Sequence, residues 1–382
     1  MTAGNLTVDT AVPYLLERGL VTASAIVESD FHVVDAGRRN ENLKVVRRSG
    51  PSYLIKQPGE GEHGSEVTIR CEAAFYDHCA RAPAAEAVRA FLPLFHGFDA
   101  ERSLLVLELI AGEPLWSHYA SVPPPGFCSD AAAPLGCAMG TFHRIFREPA
   151  SRDSWMAGLP SGPPWIFFAH RPTPEMLARL SPANAEVLKL MQKDPAIAGG
   201  LDRLRSEWTA ETLVHNDIKG DNLLVRKDGD GQIRVAMIDW ELVQIGDPAW
   251  DVGNVFRDFL GYWLMTVPLS SDLTPEQMLD GAQLPLSALH PAARSFWNAY
   301  RTGAWLDGEA SGAFLLRALG YAAARMAQGA YELSVGAGQA SNLAVVTLQV
   351  AANILAEPAA ASLHLLGVPV PFGRPGNVRL VR

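Results

Sequence analysis

Leu213-Val214-His215-Asn216-Asp217-Ile218-Lys219-Gly220-Asp221-Asn222-Leu223-Leu224-Val225 is the stretch on which the fold turns, and Val235-Ala236-Met237-Ile238-Asp239-Trp240 completes it. Leu223–Arg226 and Ile233–Ile238 are apolar, with Lys227-Asp228-Gly229-Asp230-Gly231 between them. Two short apolar runs around a glycine-rich turn read as a hairpin, because glycine adopts positive φ at no steric cost. A calcium loop is the weaker reading of that turn, since Ile233 stands where such a loop needs glycine. A hairpin brings its open ends side by side, so Asn222 and Asp239 are expected to converge. Two oxygen-bearing side chains meeting there make a site suited to a hard cation such as Mg²⁺. Asp217 lies on the loop that leads into the same point.

Phosphoryl transfer needs this set of groups. A carboxylate orients the attacking hydroxyl and takes its proton, oxygen ligands hold metal on the nucleotide phosphates, and a cation offsets charge on the transferred group. Asp217, Asn222 with Asp239, and Lys219 fill those roles in order. His215 reads as a structural residue of the loop.

His215-x-Asp217-x-x-x-x-Asn222 with Ile238-Asp239-Trp240 resembles the catalytic loop and metal-binding motif of the aminoglycoside phosphotransferase and choline kinase-like superfamily. Protein kinases share the scheme but carry Asp-Phe-Gly where this chain has Asp239-Trp240-Glu241. Gly246-Asp247-Pro248-Ala249-Trp250-Asp251 is similar to a later segment of the superfamily, where the counterpart of Asp251 braces the loop. The resemblance implies an α+β, protein kinase-like fold of two lobes. Residues 1–111 would form a small strand-rich nucleotide-binding lobe, and residues 112–382 a large, mostly helical catalytic and acceptor-binding lobe. It further implies an ATP- and Mg²⁺-dependent phosphotransferase.

The N-terminal part carries the remaining pieces. Strands are expected near Phe31–Asp35, Leu43–Arg48, Ser52–Gln57, Leu92–Phe98 and Leu104–Ile110, with helices over Thr10–Val21 and Glu66–Ala82. Tyr53-Leu54-Ile55-Lys56-Gln57 resembles the kinase strand whose lysine contacts the α- and β-phosphates. Arg70-Cys71-Glu72-Ala73-Ala74-Phe75 resembles the helix whose glutamate pairs with that lysine, with Glu66 as the competing partner. Leu105–Ile110 followed by Gly112-Glu113-Pro114 resembles the hinge that binds the adenine edge, which assigns Glu108 and Ile110 to the nucleotide. The loop over the phosphates departs from the pattern. It holds one glycine, Gly37, so Arg38, Arg39 or Lys44 would have to contact the phosphates instead, or form a solvated basic turn. Gly136–Arg144 resembles the helix beneath the active site. The likeness spans roughly residues 30 to 255.

Composition fits this reading. The 382 residues are 48% hydrophobic and 19% charged, as in a folded domain rather than a disordered chain. A net charge of −9 argues against a general nucleic-acid binder. Cys71, Cys79, Cys128 and Cys137 form no Cys-x-x-Cys pair, which predicts reduced thiols and no zinc site. No targeting signal is visible. Leu343–Ala356 is too short and too interrupted to span a membrane and reads as a buried helix. The expected setting is the cytoplasm.

The acceptor is less legible. Between Gly253 and Leu363 eight acids face five arginines, a mild excess for holding a polycationic antibiotic. Asp217-x-Lys219-x-x-Asn222 is also the spacing of protein Ser/Thr kinases. Arg38-Arg39-Asn40-x-Asn42-x-Lys44-Val45, Leu54-Ile55-Lys56-Gln57 and Pro163-Pro164-Trp165-Ile166 resemble kinases of class V lanthipeptide and thioamitide pathways. That likeness implies a precursor-peptide Ser or Thr as acceptor and a partner lyase. A small-molecule kinase is the alternative. A pseudokinase is the third reading, but Lys56, Glu72, Asp217, Asn222 and Asp239 are all present.

Overall fold

The computed structural model describes residues 5–28, 30–37, 41–59, 64–148, 154–178, 180–270 and 272–370. Arg38 and Arg39, candidates for phosphate contact, lie outside these residues.

In the smaller lobe β1 (Phe31–Asp35), β2 (Glu41–Arg47), β3 (Tyr53–Gln57), β4 (Phe95–Asp99) and β5 (Leu104–Glu108) form an antiparallel sheet in the order β1-β2-β3-β5-β4. Side chains alternate across a strand. In β5, Leu104 and Val106 therefore join one core with Leu15, Val45 and Ile55, while Leu105 and Leu107 join another with Ile69 and Phe75. Both faces of this strand are buried, which is why it reads as an unbroken apolar run. The Val8–Glu17 helix covers one face, and the Ser65–Arg81 helix lies on the other.

The larger departures from the expected boundaries are in the first helix and in β4. The first helix starts earlier, at Val8, and ends before Gly19, whose φ of +69° breaks the helical run. β4 begins at Phe95 rather than Leu92, because a short helix, Glu86–Arg89, and Pro93 precede it.

The larger lobe holds β6 (Glu113–Pro114), β7 (Thr212–Val214), β8 (Leu223–Lys227), β9 (Ile233–Met237) and β10 (Gln244–Gly246). β8 and β9 are the hairpin, paired from Leu223 opposite Met237 to Lys227 opposite Ile233. Its turn places Gly231 at φ +77° and closes with Gly231 N–H donating to the Asp228 carbonyl at 2.9 Å. β6 flanks the hairpin, and β7 pairs with β10.

Helices pack around these strands. Ala132–Arg147 lies against His290–Gly303, and Pro248–Leu264 against Gly308–Glu332. The first pair approach closely because Gly136 and Gly140 face backbone. A Cβ at Gly136 would stand 2.2 Å from the Phe296 carbonyl oxygen, and one at Gly140 2.3 Å from that of Tyr300. Asn342–Ala356 is a packed helix, and among the described residues no helix is long and apolar enough to cross a membrane.

Candidate active site

The loop between β7 and β8 is held from behind. Asp251, in the first turn of the Pro248–Leu264 helix, accepts from the backbone N–H of His215 at 2.7 Å and of Asn216 at 3.0 Å. It is almost fully buried and lies 3.3 Å from His143 Nε2. That helix is itself anchored. Asp247 caps it through Ala249 N–H and accepts from Arg317 Nε at 2.8 Å and the Tyr321 hydroxyl at 3.0 Å. His215 Nε2 donates to the Ile238 carbonyl at 2.8 Å, and its Nδ1 accepts from Asp217 N–H. The buried imidazole thus ties the loop to the end of β9, a structural task.

Asn216 and Asp239 adopt left-handed backbone, at φ +68° and +66°. Asn and Asp tolerate this region better than most residues. Such strain, of about 1–3 kcal/mol each, persists only where surrounding contacts over-determine it. The Asp251 and His215 bonds do so here.

Asp217 Oδ2 accepts from Lys219 Nζ at 2.6 Å and from Asn222 Nδ2 at 3.1 Å. Asn222 Nδ2 also donates to the Asp217 carbonyl at 2.9 Å. With the amide nitrogen so engaged, the amide oxygen is the Asn222 atom left for a cation. Ile238 N–H donates to the Asn222 carbonyl at 2.9 Å, so Asn222 and Asp239 stand side by side across the hairpin's open end. An amide oxygen and a carboxylate are hard donors, and this pair fits Mg²⁺.

Lys56, on β3, is buried. Its Nζ donates to both Glu72 oxygens at 2.7 and 2.8 Å and to Asp239 Oδ1 at 2.6 Å. Burial alone would lower its pKa, but Glu72 and Asp239 overcome that and raise it, so the ammonium stays charged. For Asp239, burial pushes the carboxyl up, while Lys56 more than offsets it and holds it below its ordinary range. The partner of Lys56 is Glu72 rather than Glu66, which bonds Arg70 at 2.7 Å. Trp240 locks the arrangement. Its backbone N–H donates to Glu72 Oε1 at 3.0 Å and its ring stacks on Phe75 at 4.3 Å.

Two cavities meet here. A cavity of about 200 Å³ is lined by Lys44, Lys56, Leu107, Glu108, Ile110 and Leu224 among others. One of about 680 Å³ is lined by Asp217, Lys219, Trp165, Trp250, Arg325 and Glu332 among others. Both include Asn42, Asn222 and Asp239 in their walls, so they form one cleft. All eight candidate residues, Asp217, Lys219, Lys56, Glu72, Glu108, Ile110, Asn222 and Asp239, are at the cleft or, for Glu72, directly behind it. Glu108 is further fixed, with its Oε2 accepting from Leu94 N–H at 3.1 Å.

Three contributors escaped the sequence reading. Arg325 lies 3.9 Å from Asp217 Oδ1 and pairs with Glu332 at 3.0 Å. Arg317 anchors Asp247. Trp116 lies under the β7–β8 loop, where a Cβ on Gly220 would fall 1.7 Å from its ring. No local pattern marks these residues, since each acts across a long sequence separation.

The sequence profile of a family described as "Phosphotransferase enzyme family" matches residues 30–272. The chain belongs to this family. It is accordingly a phosphotransferase of the kinase type, and its solved neighbours share the kinase-like two-lobed fold. A choline kinase from Cryptosporidium parvum Iowa II is similar at 14% identity and TM-score 0.56, over 94% of this chain and 98% of that one. A macrolide 2'-phosphotransferase from Brachybacterium faecium is similar at 15% identity and TM-score 0.50, over 91% and 97%. At such identities the likeness concerns the fold of this phosphotransferase. No curated protein matches its sequence.

Proposed function

We propose that this phosphotransferase moves the γ-phosphate of ATP, with Mg²⁺, to a hydroxyl group of an acceptor in the larger cavity. The observation that carries the reading is the convergence of Asp217, Asn222, Asp239 and Lys56 on the cleft shared by both cavities. The nucleotide base takes the smaller cavity against Glu108 and Ile110, and Lys56 reaches the α- and β-phosphates. Asn222 and Asp239 hold Mg²⁺, which supplies positive charge on the phosphates. The lobe boundary in this reading falls between residues 111 and 112, where the chain leaves the hinge.

Asp217 acts as base. Lys219 and Asn222 occupy Oδ2, so Oδ1 is the oxygen that takes the acceptor's proton. The acceptor oxygen then bonds the γ-phosphorus, the bond to the β-phosphate oxygen breaks, and ADP leaves with its electron pair. Lys219, once drawn to the transferred group, offsets its charge.

A cavity of about 680 Å³ is of the size that encloses a small molecule, which favours a small hydroxyl-bearing acceptor. One observation supports the peptide reading. Pro163, Pro164 and Trp165 line the same cavity, and Trp165 is 41% exposed, so an extended segment carrying Ser or Thr could lie across it. In that case a partner lyase would remove the phosphate.

The test is Mg²⁺-dependent transfer from γ-labelled ATP to a panel of small alcohols, aminoglycosides and Ser/Thr peptides with leader segments. Label on any acceptor, lost in Asp217→Asn, supports the transferase reading, and its identity selects the acceptor class. Transfer that persists unchanged in Asp217→Asn overturns the assigned base.

A further inference from the structure

Behind the catalytic loop, four chemistry-bearing side chains meet that the phosphotransfer reading does not use. His118, in the short Leu115–Tyr119 helix, is buried. Its Nε2 lies 2.5 Å from Asp130 Oδ1 and 3.3 Å from Cys128 Sγ, and the thiol lies 3.3 Å from the same Asp130 oxygen. Its Nδ1 lies 2.6 Å from Glu113 Oε1. Imidazole, thiol and carboxylate atoms thus form a small triangle. A second carboxylate holds the far side of the ring, as metal-bound histidines are held.

We propose that His118 Nε2, Cys128 Sγ and Asp130 Oδ1 bind one Zn²⁺, with Glu113 fixing the imidazole through Nδ1–H. Nitrogen, sulfur and oxygen donors together match a borderline-soft ion better than Mg²⁺ or Ca²⁺. Zinc bonds of about 2.0–2.3 Å in a tetrahedron set donors a little over 3 Å apart. The two edges that include sulfur already have that length, and only the Nε2–Oδ1 edge must widen, by under about 1 Å.

A divalent ion favours the thiolate form of a coordinating cysteine. On binding, Cys128 gives up its thiol proton and a protonated His118 gives up the Nε2 proton, while Nδ1–H stays on Glu113. Glu113 and Asp130 are half exposed, so water can complete the coordination. Cysteine spacing gives no hint of this site because only one ligand is cysteine.

The position implies a structural effect. Glu113 is paired to Val225 of the hairpin, and Trp116 on the His118 helix supports Gly220. The ion would clip this unit to the segment that enters the Ala132–Arg147 helix. Tyr119 and Phe127 already pack together at 4.6 Å between the same segments, so single variants are expected to fold.

The experiment titrates the metal-stripped full chain with Zn²⁺ and, separately, Co²⁺. One Zn²⁺ per chain is expected, competing with Co²⁺ that gives a sulfur-to-cobalt charge-transfer band. Cys128→Ser should abolish the band, whereas Cys137→Ser, at an exposed thiol, should leave it unchanged. Glu113→Gln should weaken binding about 10- to 100-fold. No stoichiometric binding, or a band that survives Cys128→Ser, would overturn the proposal. The readout is independent of phosphotransfer, so its failure leaves the active-site reading intact, and the converse holds.

Discussion

Two lysines border the same cleft from different lobes, and they are held in opposite ways. Lys56 is 3% exposed and locked between Glu72 and Asp239. Lys219 is 37% exposed and rests on a single carboxylate, Asp217, two residues away. The first is fixed before any ligand arrives, so no ordering cost falls on it during catalysis. The second can exchange its partner for a phosphate at small cost. On the proposed reading, this burial difference makes one lysine a positioning cation and the other a mobile one, and it predicts different failures when each is removed.

The largest effect is expected at the buried cation. Lys56→Met leaves Glu72 and Asp239 without compensation, and breaking a buried pair typically costs about 3–5 kcal/mol. A large fall in Tm and loss of nucleotide binding should appear together. A Tm shift no greater than that of a surface variant would break the comparison at its first term. Asp217→Asn should do the reverse, lowering kcat about 10²–10⁴-fold as loss of a general base does, with Tm and nucleotide affinity nearly unchanged. Calorimetric titration with ATP beside steady-state turnover separates the two variants.

A smaller effect tests whether the mobile lysine depends on a rigid support. The Cβ of Gly220→Ala would fall 1.7 Å from the Trp116 ring, so the loop or the indole must shift. Overpacking of this kind costs about 1–3 kcal/mol. Chemical denaturation should register it, and Gly220→Ala combined with Trp116→Ala should cost less than the sum of the two. Strict additivity would mean that the indole does not support the loop.

The same contrast explains what was legible in the sequence. The hairpin is local, so two short apolar runs around a glycine-rich turn announce it, and with it the neighbourhood of Asn222 and Asp239. The Lys56–Glu72 contact joins residues sixteen apart and was reached through family likeness to a strand and a helix. Arg325 near Asp217 and Arg317 on Asp247 depend on how one long helix packs against another, and Arg317 is seventy residues from its partner. Helix packing is set by many weak contacts, and none of them marks an individual arginine in an alanine-rich run. The early end of the first helix and the late start of β4 follow from Gly19 and Pro93, single residues that override a periodic pattern.

The smallest predicted effect decides the role of the mobile lysine. Lys219 is itself more than a third exposed, so its pair with Asp217 contributes little to stability, and Lys219→Ala should change the unfolding free energy by less than about 0.5 kcal/mol. If the ammonium leaves Asp217 for the transferred phosphate, turnover should still fall, by about tenfold, which corresponds to about 1.4 kcal/mol of transition-state stabilisation. That figure is modest because Arg325, 3.9 Å from Asp217, remains as a second cation at the same carboxylate. The double variant Lys219→Ala with Arg325→Ala should therefore lose more than the product of the single losses. If Lys219→Ala turns over like the unmodified chain, Lys219 is a solvated surface residue with no part in offsetting the charge of the transferred group.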